Sequence, residues 1–137
     1  MSAIPYLLTF DRIGSPDIGY ITTTQYADNV PFTIRRVFWT HGTPPEVMRG
    51  RHANKATEEV LVALAGTIRV KADTGTQVQE FELSDSQTGL FIPAMCWTEI
   101  RYSEGAIALC MASTDYAEED YIRDKAHFKK LATHLTL

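Results

Sequence analysis

The sequence predicts an all-β fold, a sandwich or a closed barrel, on three observations. Between Tyr6 and Ser113, short β-rich runs are broken by turn chemistry at Gly14-Ser15-Pro16, Gly42-Thr43-Pro44-Pro45, Asp73-Thr74-Gly75 and Ser84-Asp85-Ser86. Residues 60–64 and 67–71 flank Ala65-Gly66, and 78–83 follow the Asp73-Thr74-Gly75 turn, so these three runs read as successive antiparallel strands. Roughly eight or more such runs are available, enough to close a barrel or stack two sheets and so protect the exposed edges.

The remaining strands are expected at 33–40, 89–92, 97–102 and 106–112. After Ser113 the texture changes. Acids at Glu118, Glu119 and Asp120 precede Lys125, Lys129 and Lys130, the charge order that suits a helix dipole. Tyr121, Lys125, Phe128 and Leu131 fall near helical spacing with Ile122 and Ala126 beside them, so a short C-terminal helix is expected to lay an apolar face on the barrel or on a second subunit. No linker or internal repeat divides the chain, and residues 1–137 are expected to form one domain.

Composition excludes several classes of function. A hydrophobic content of 45% with 22% charged residues is that of a folded globular chain. With a net charge of −4 and no block of Lys and Arg longer than a pair, there is no electrostatic footprint for nucleic acid. Cys96 and Cys110 sit in apolar surroundings without CxxC spacing and read as buried free thiols. The N-terminus has neither a basic n-region nor a sustained apolar stretch, and no run approaches a membrane span, so a cytoplasmic protein without membrane contact is expected.

The chemistry concentrates in residues 48–58, Met-Arg-Gly-Arg-His-Ala-Asn-Lys-Ala-Thr-Glu, followed by an apolar strand ending at Gly66. This segment resembles the first cupin motif, in which an H-x-H pair and a Glu a few residues on join a later His to hold a metal. Alternate strand residues share a face, so an i, i+2 pair points into the barrel together. Here those positions are His52, Asn54 and Glu58, and the counterpart of the second motif, Gly89-Leu90-Phe91-Ile92-Pro93 leading to Trp97-Thr98-Glu99, offers no His. One imidazole falls short of the three or four donors of a transition-metal site, so no metal is expected. His52 is then free to act as a general base, with an unperturbed pKa of about 6.5 suited to proton exchange at cytosolic pH.

A longer resemblance covers nearly the whole chain. The stretches Ile34-Arg35-Arg36-Val37-Phe38, Arg49-Gly50-Arg51-His52-Ala53-Asn54-Lys55, 59–66, 89–93, Ala112-Ser113 with Tyr116, and Glu119-Asp120-Tyr121-Ile122-Arg123-Asp124 resemble, in this order, the sugar 3,4-ketoisomerases. That resemblance implies a cupin-type double-stranded β-helix, a jelly-roll barrel, forming a domain-swapped homodimer. It implies an enzyme that moves the ketone of dTDP-4-keto-6-deoxyglucose from carbon 4 to carbon 3, for deoxysugar and lipopolysaccharide or other glycan synthesis, with no cofactor.

Carried over by position, His52 removes the proton at carbon 3, and the resulting enediol or enediolate is reprotonated at carbon 4. Asn54 and a nearby arginine are the candidate donors for the developing oxyanion. Arg36, Arg49, Lys55 and Arg123 match basic positions of the family and suit a diphosphate, whereas Arg35 and Arg51 read as solvated charges. Phe38 and Trp97 are candidate walls for the sugar or base, and Glu58 and Glu99 are candidates to orient His52 or bind the sugar. The family commonly carries His where this chain has Asn54, and often where it has Thr98. Three other readings stand beside this one: an epimerase of a related sugar nucleotide, a sugar-nucleotide-binding module without turnover, and a metal-dependent cupin oxygenase.

Overall fold

Alternation of apolar and polar residues along the strands sorts most of the chain into two facing sheets, as seen in the computed structural model, which describes residues 3–135. In chain order the strands are β1 (Tyr6–Thr9), β2 (Asp11–Ser15), β3 (Gly19–Thr23), β4 (Arg36–His41), β5 (Arg49–Asn54), β6 (Glu59–Ala65), β7 (Ile68–Asp73), β8 (Val78–Leu83), β9 (Thr88–Ile92), β10 (Trp97–Tyr102) and β11 (Ile107–Ala112). A 3-10 turn (Glu118–Asp120), β12 (Tyr121–Ile122) and α1 (Lys125–Leu135) complete the chain. One antiparallel sheet has the order β1-β9-β6-β11-β4 and the other β12-β5-β10-β7-β8, while β2 and β3 form a separate hairpin. The architecture is a cupin-type jelly roll with one C-terminal helix.

Strand parity decides what each sheet offers the interior. Leu61, Ala63, Leu90, Ile92, Ala108 and Cys110 of the first sheet meet Ile68, Val70, Ala72, Ile100 and Tyr102 of the second in one buried core. Full burial of each large aliphatic side chain contributes about 1.5–3 kcal/mol. The alternate residues Val60, Val62, Phe91 and Met111 face the other way, where Phe10, Val30 and Phe32 of the N-terminal segment cover them.

The C-terminal segment differs from the expectation read from its charge order. The acids at 118–120 form the 3-10 turn, Tyr121 and Ile122 pair with Asn54 and Ala53 of β5, and the helix begins only at Lys125. Asp120 is recruited by the barrel: its carboxylate accepts hydrogen bonds from Asn54 Nδ2 at 3.0 Å, the Ala56 amide at 2.8 Å and Thr57 Oγ1 at 2.5 Å. Asp124 caps the helix instead, accepting from the amides of Ala126 at 2.9 Å and His127 at 3.2 Å. The helix does lay an apolar face on the second sheet, with Phe128 and Ala132 packed against Trp97, Ala53 and Ile122. Close approach to the 73–77 turn is possible because position 75 is Gly; a Cβ there would lie 2.5 Å from that of Ala132.

At the other end of the chain, the run expected to turn at Gly14-Ser15-Pro16 keeps Gly14 and Ser15 in strand β2, and the reversal comes just after them. The β2–β3 hairpin pairs with itself and with neither large sheet, and Ile13, Ile18 and Ile21 on it are exposed.

Candidate active site

Between the two sheets lies a cavity of about 240 Å³, whose lining includes His52, Arg49 and Gly50 from β5, Thr98 and Tyr102 from β10, and Glu59 and Leu61 from β6. Phe38 and Thr40 of β4, Cys110 of β11, Tyr121 of β12 and Arg123 close the remaining sides. A larger groove of about 680 Å³ runs between the β2–β3 hairpin and the outer face of the first sheet, lined by Val62, Leu64, Leu109 and Met111 with Arg12 and Asp85.

A β-bulge aims His52. Thr98 pairs with His52 and Glu99 with Gly50, so Arg51 is an extra residue on β5 with no partner on β10. Both bulge residues have left-handed backbone, Gly50 at φ 76° and Arg51 at φ 58°. The extra residue breaks the two-residue alternation, so Arg49 and His52, three apart, line the same cavity. Gly is required at 50, where a Cβ would come within 2.8 Å of the Thr98 carbonyl oxygen.

The bulge also fixes the imidazole's tautomer. His52 Nδ1 lies 3.0 Å from the Gly50 carbonyl oxygen, which only accepts, so Nδ1 carries the proton and Nε2 keeps its lone pair. Burial pushes the pKa of His52 below its usual value and Arg123 acts in the same direction, against the Gly50 hydrogen bond and Glu118. The Tyr121 ring meets the imidazole edge-on at 4.9 Å between centroids. A neutral, oriented imidazole is the form a general base requires.

The opposite sheet supplies Glu59, 9% exposed, which lies across β11 from Arg36 because both pair with Ala112. Burial pushes its carboxyl pKa up, while the Cys110 thiol and Arg36 pull it down. Arg36 lays its guanidinium over the rings of Phe38 at 5.1 Å and Tyr116 at 5.5 Å, and its buried Nε has no hydrogen-bond partner among the described residues. Arg123 stacks over Tyr121 at 4.6 Å and pairs with Glu118 at 2.8 Å. Hydrogen bonds from Arg123 and then Tyr116 hold the exposed Glu118 carboxyl down at about 2.

Of the residues singled out in the sequence, the structure thus brings His52, Arg49, Phe38 and Arg123 to the cavity, with Arg36 beside it. Asn54 is buried next to this site, with its side-chain amide engaged by Asp120. Trp97 and Glu99 are not brought there. With Thr98, Ile100 and Tyr102 facing inward, parity turns Trp97 and Glu99 to the outer face, where Trp97 packs on Phe128 at 5.9 Å and Glu99 accepts from Trp97 Nε1 at 3.1 Å and from Lys125 at 3.4 Å. Glu58 precedes β6, its amide donating to Ser113 Oγ, and Lys55 is exposed.

Glu59 and Tyr121 are among the cavity residues that the sequence reading did not single out. Glu59 was hidden by its acidic neighbour, although the inward register of Leu61 and Ala63 selects 59 over 58. Tyr121 was hidden by the helical spacing of the segment. Among the described residues no group of three or more His, Cys, Asp and Glu side chains is placed to hold a metal ion.

A jelly roll with a neutral imidazole and a buried carboxyl on facing walls of its interior cleft defines a cupin equipped for proton transfer. More narrowly, this chain belongs to the FdtA family, described as WxcM-like, C-terminal, whose model matches residues 5–133. It is 37% identical over 120 residues to a TDP-4-oxo-6-deoxy-alpha-D-glucose-3,4-oxoisomerase of Aneurinibacillus thermoaerophilus, covering 87% of this chain and 86% of the relative. Its structure is similar to QdtA, a sugar 3,4-ketoisomerase from Thermoanaerobacterium thermosaccharolyticum solved with TDP, at a TM-score of 0.92, 29% identity and 97% coverage of both chains. It is similar also to a 3,4-ketoisomerase from Helicobacter canadensis, at a TM-score of 0.89, 32% identity and coverage of 94% and 97%.

Proposed function

We propose that this protein is a sugar-nucleotide 3,4-ketoisomerase, converting a dTDP-linked 4-keto-6-deoxyhexose into its 3-keto isomer. The observation that carries the reading is His52, whose Nδ1 is committed to the Gly50 carbonyl so that the Nε2 lone pair is available in the cavity. The named activities of the relatives support this choice of substrate.

The chemistry follows from the substrate's own acidity. A ketone at carbon 4 acidifies the hydrogen at carbon 3, and His52 removes it to give an enediol or enediolate. Return of the proton to carbon 4 leaves the ketone at carbon 3. No electrons leave the sugar, so the reaction asks for no redox cofactor.

Arg36, Arg49 and Arg123 are assigned to the diphosphate. Arg123 stacks on Tyr121 and pairs with Glu118 in an exposed ion pair; such a pair is worth little in water, so exchanging it for phosphate oxygens costs little. Phe38 forms a wall of the sugar site. Asn54, fixed by Asp120, is assigned a positioning role for the His52 strand. Trp97, Glu99, Glu58 and Lys55 act from outside the cavity, the first two by seating the helix behind it.

The working unit is a homodimer of one-domain chains. Support comes from the apolar side chains of the free hairpin, Ile13, Ile18 and Ile21, and from exposed Val37 and Trp39 on edge strand β4. The same reading places the enzyme in the cytoplasm, in the supply of deoxysugars for lipopolysaccharide or other glycans.

The test is incubation of the purified protein with dTDP-4-keto-6-deoxyglucose followed by proton NMR. A 3-keto product supports the reading. Saturable binding of the nucleotide sugar without any new product would instead make the protein a binding module.

A further inference from the structure

The ketoisomerisation moves two protons, one between carbons and one between oxygens. His52 accounts for the carbon-bound proton and leaves the oxygen-bound one without a carrier. Asn54 does not serve, because an amide has no proton to exchange near neutrality and its side chain is bound to Asp120. Thr98, which pairs with His52 across the bulge, offers only a hydroxyl that does not ionise near neutrality. The guanidinium side chains of the cavity donate hydrogen bonds but offer no site to accept a proton.

Besides Tyr121, whose ring packs edge-on against the imidazole, Tyr102, Cys110 and Glu59 line the cavity. Burial raises Tyr102 above the ordinary phenol value and holds the Cys110 thiol well above its own, so both stay protonated and neither accepts readily. Glu59 differs. It faces His52 from the opposite sheet, it is almost wholly buried, and burial raises its carboxyl above the ordinary value, which favours the protonated form.

We propose that Glu59 is the second proton carrier of this site, giving a proton to the substrate's carbonyl oxygen as the enediol forms and recovering one from the adjacent hydroxyl as the new ketone forms. The inference rests on the ketoisomerase reading and adds a residue to it. The steps balance. His52 Nε2 takes the proton from carbon 3, the C3–H electron pair becomes the C3–C4 double bond, and the carbonyl oxygen on carbon 4 takes the Glu59 proton. In the second half the Glu59 carboxylate takes the proton of the hydroxyl on carbon 3, the carbonyl forms there, and His52 returns its proton to carbon 4. Both residues end as they began.

The charges around Glu59 set the pH dependence. From β4, Arg36 favours the carboxylate, as does the Cys110 thiol of β11; Asp120 of the 3-10 turn opposes it. Arg49 and His52 of β5, Tyr102 of β10, and Tyr121 and Arg123 after the turn share its cavity. Since the reaction begins from the protonated carboxyl, turnover falls as pH rises through the raised pKa of Glu59.

Glu59→Gln tests this, because an amide keeps the shape and a donor while losing the exchangeable proton. TDP affinity is expected to stay within about twofold, while kcat falls about a hundredfold or more. The alkaline limb of the kcat profile disappears in this variant. Glu59→Asp keeps a carboxyl, and is expected to recover part of the rate and restore the limb at a shifted pH, a split that a purely structural role would not produce. A Gln variant within about threefold of the parent rate with the limb unchanged, or a parent enzyme with no alkaline limb, overturns the assignment while leaving the ketoisomerase reading intact. A parent protein that forms no 3-keto product in the same assay overturns both.

Discussion

His52 Nδ1 donates to the carbonyl oxygen of Gly50 at 3.0 Å, so the residue that makes the bulge also sets the tautomer of the base. Backbone geometry and proton chemistry are therefore linked at one position. Gly50→Ala puts a Cβ 2.8 Å from the Thr98 carbonyl at a φ of 76°, and is expected to cost about 1–3 kcal/mol of stability. Turnover should fall further than TDP affinity, because the imidazole moves while Arg36 and Arg123, on other elements, stay. Chemical denaturation and steady-state kinetics on one preparation check both.

The lowered pKa of His52 has a sign that can be read twice. The base must be neutral, so kcat/KM should hold as pH falls below 6.5 and decline only nearer the depressed folded-state value. In the same interval the unfolded chain binds more protons than the folded one. Stability contributed by the neutral imidazole is therefore complete above the unfolded value and is lost as pH falls toward and through the folded one. A melting-temperature series against pH, with His52→Asn as reference, should show a shallower acid slope in the variant.

Asp120 ties the C-terminal segment to β5. Burial alone would raise its pKa, but hydrogen bonds from Thr57, Asn54 and the amides of Ala56 and Thr57 outweigh that and hold it below the usual carboxylate value. Asp120→Ala leaves the buried side chains of Asn54 and Thr57 short of a partner, at a cost of about 1–3 kcal/mol. Because the folded-state pKa is depressed, the contribution of Asp120 is present above the unfolded carboxylate value and is lost as pH falls through the folded one. Thermal melts of the variant and parent at neutral and acid pH should converge at the acid end.

The sequence reading and the structure agree where alternation is regular and part where it is interrupted. The runs at 60–64, 67–71 and 78–83 became β6, β7 and β8 because a buried sheet face demands their alternation. The bulge at Gly50 and Arg51 is invisible to a two-residue period, and it is the bulge that brings Arg49 into the cavity with His52. The acidic run before Tyr121 satisfied a helix-start rule, yet Asp120 found better partners on β5 than a helix N-terminus offers. Glu58 and Glu59 could be separated only by knowing where β6 begins.

The hairpin makes a prediction about assembly. Ile21 is 67% exposed on β3, beside exposed Ile13 on β2. A homodimer built through this hairpin should be weakened by Ile21→Asp, which would place an unpaired carboxylate in an apolar contact. Light scattering after gel filtration should give twice the chain mass for the parent and a shift toward the single chain mass for the variant. A parent protein of single chain mass would contradict the dimer.

The most direct measurement follows the substrate's own hydrogens. Purified protein and dTDP-4-keto-6-deoxyglucose are mixed in heavy water, and carbons 3 and 4 are followed by proton NMR, with His52→Asn alongside. The account predicts loss of the carbon-3 proton, appearance of a 3-keto sugar, and neither change with the variant. Undiminished isomerisation by His52→Asn, or an unchanged carbon-3 signal with the parent protein, would contradict it.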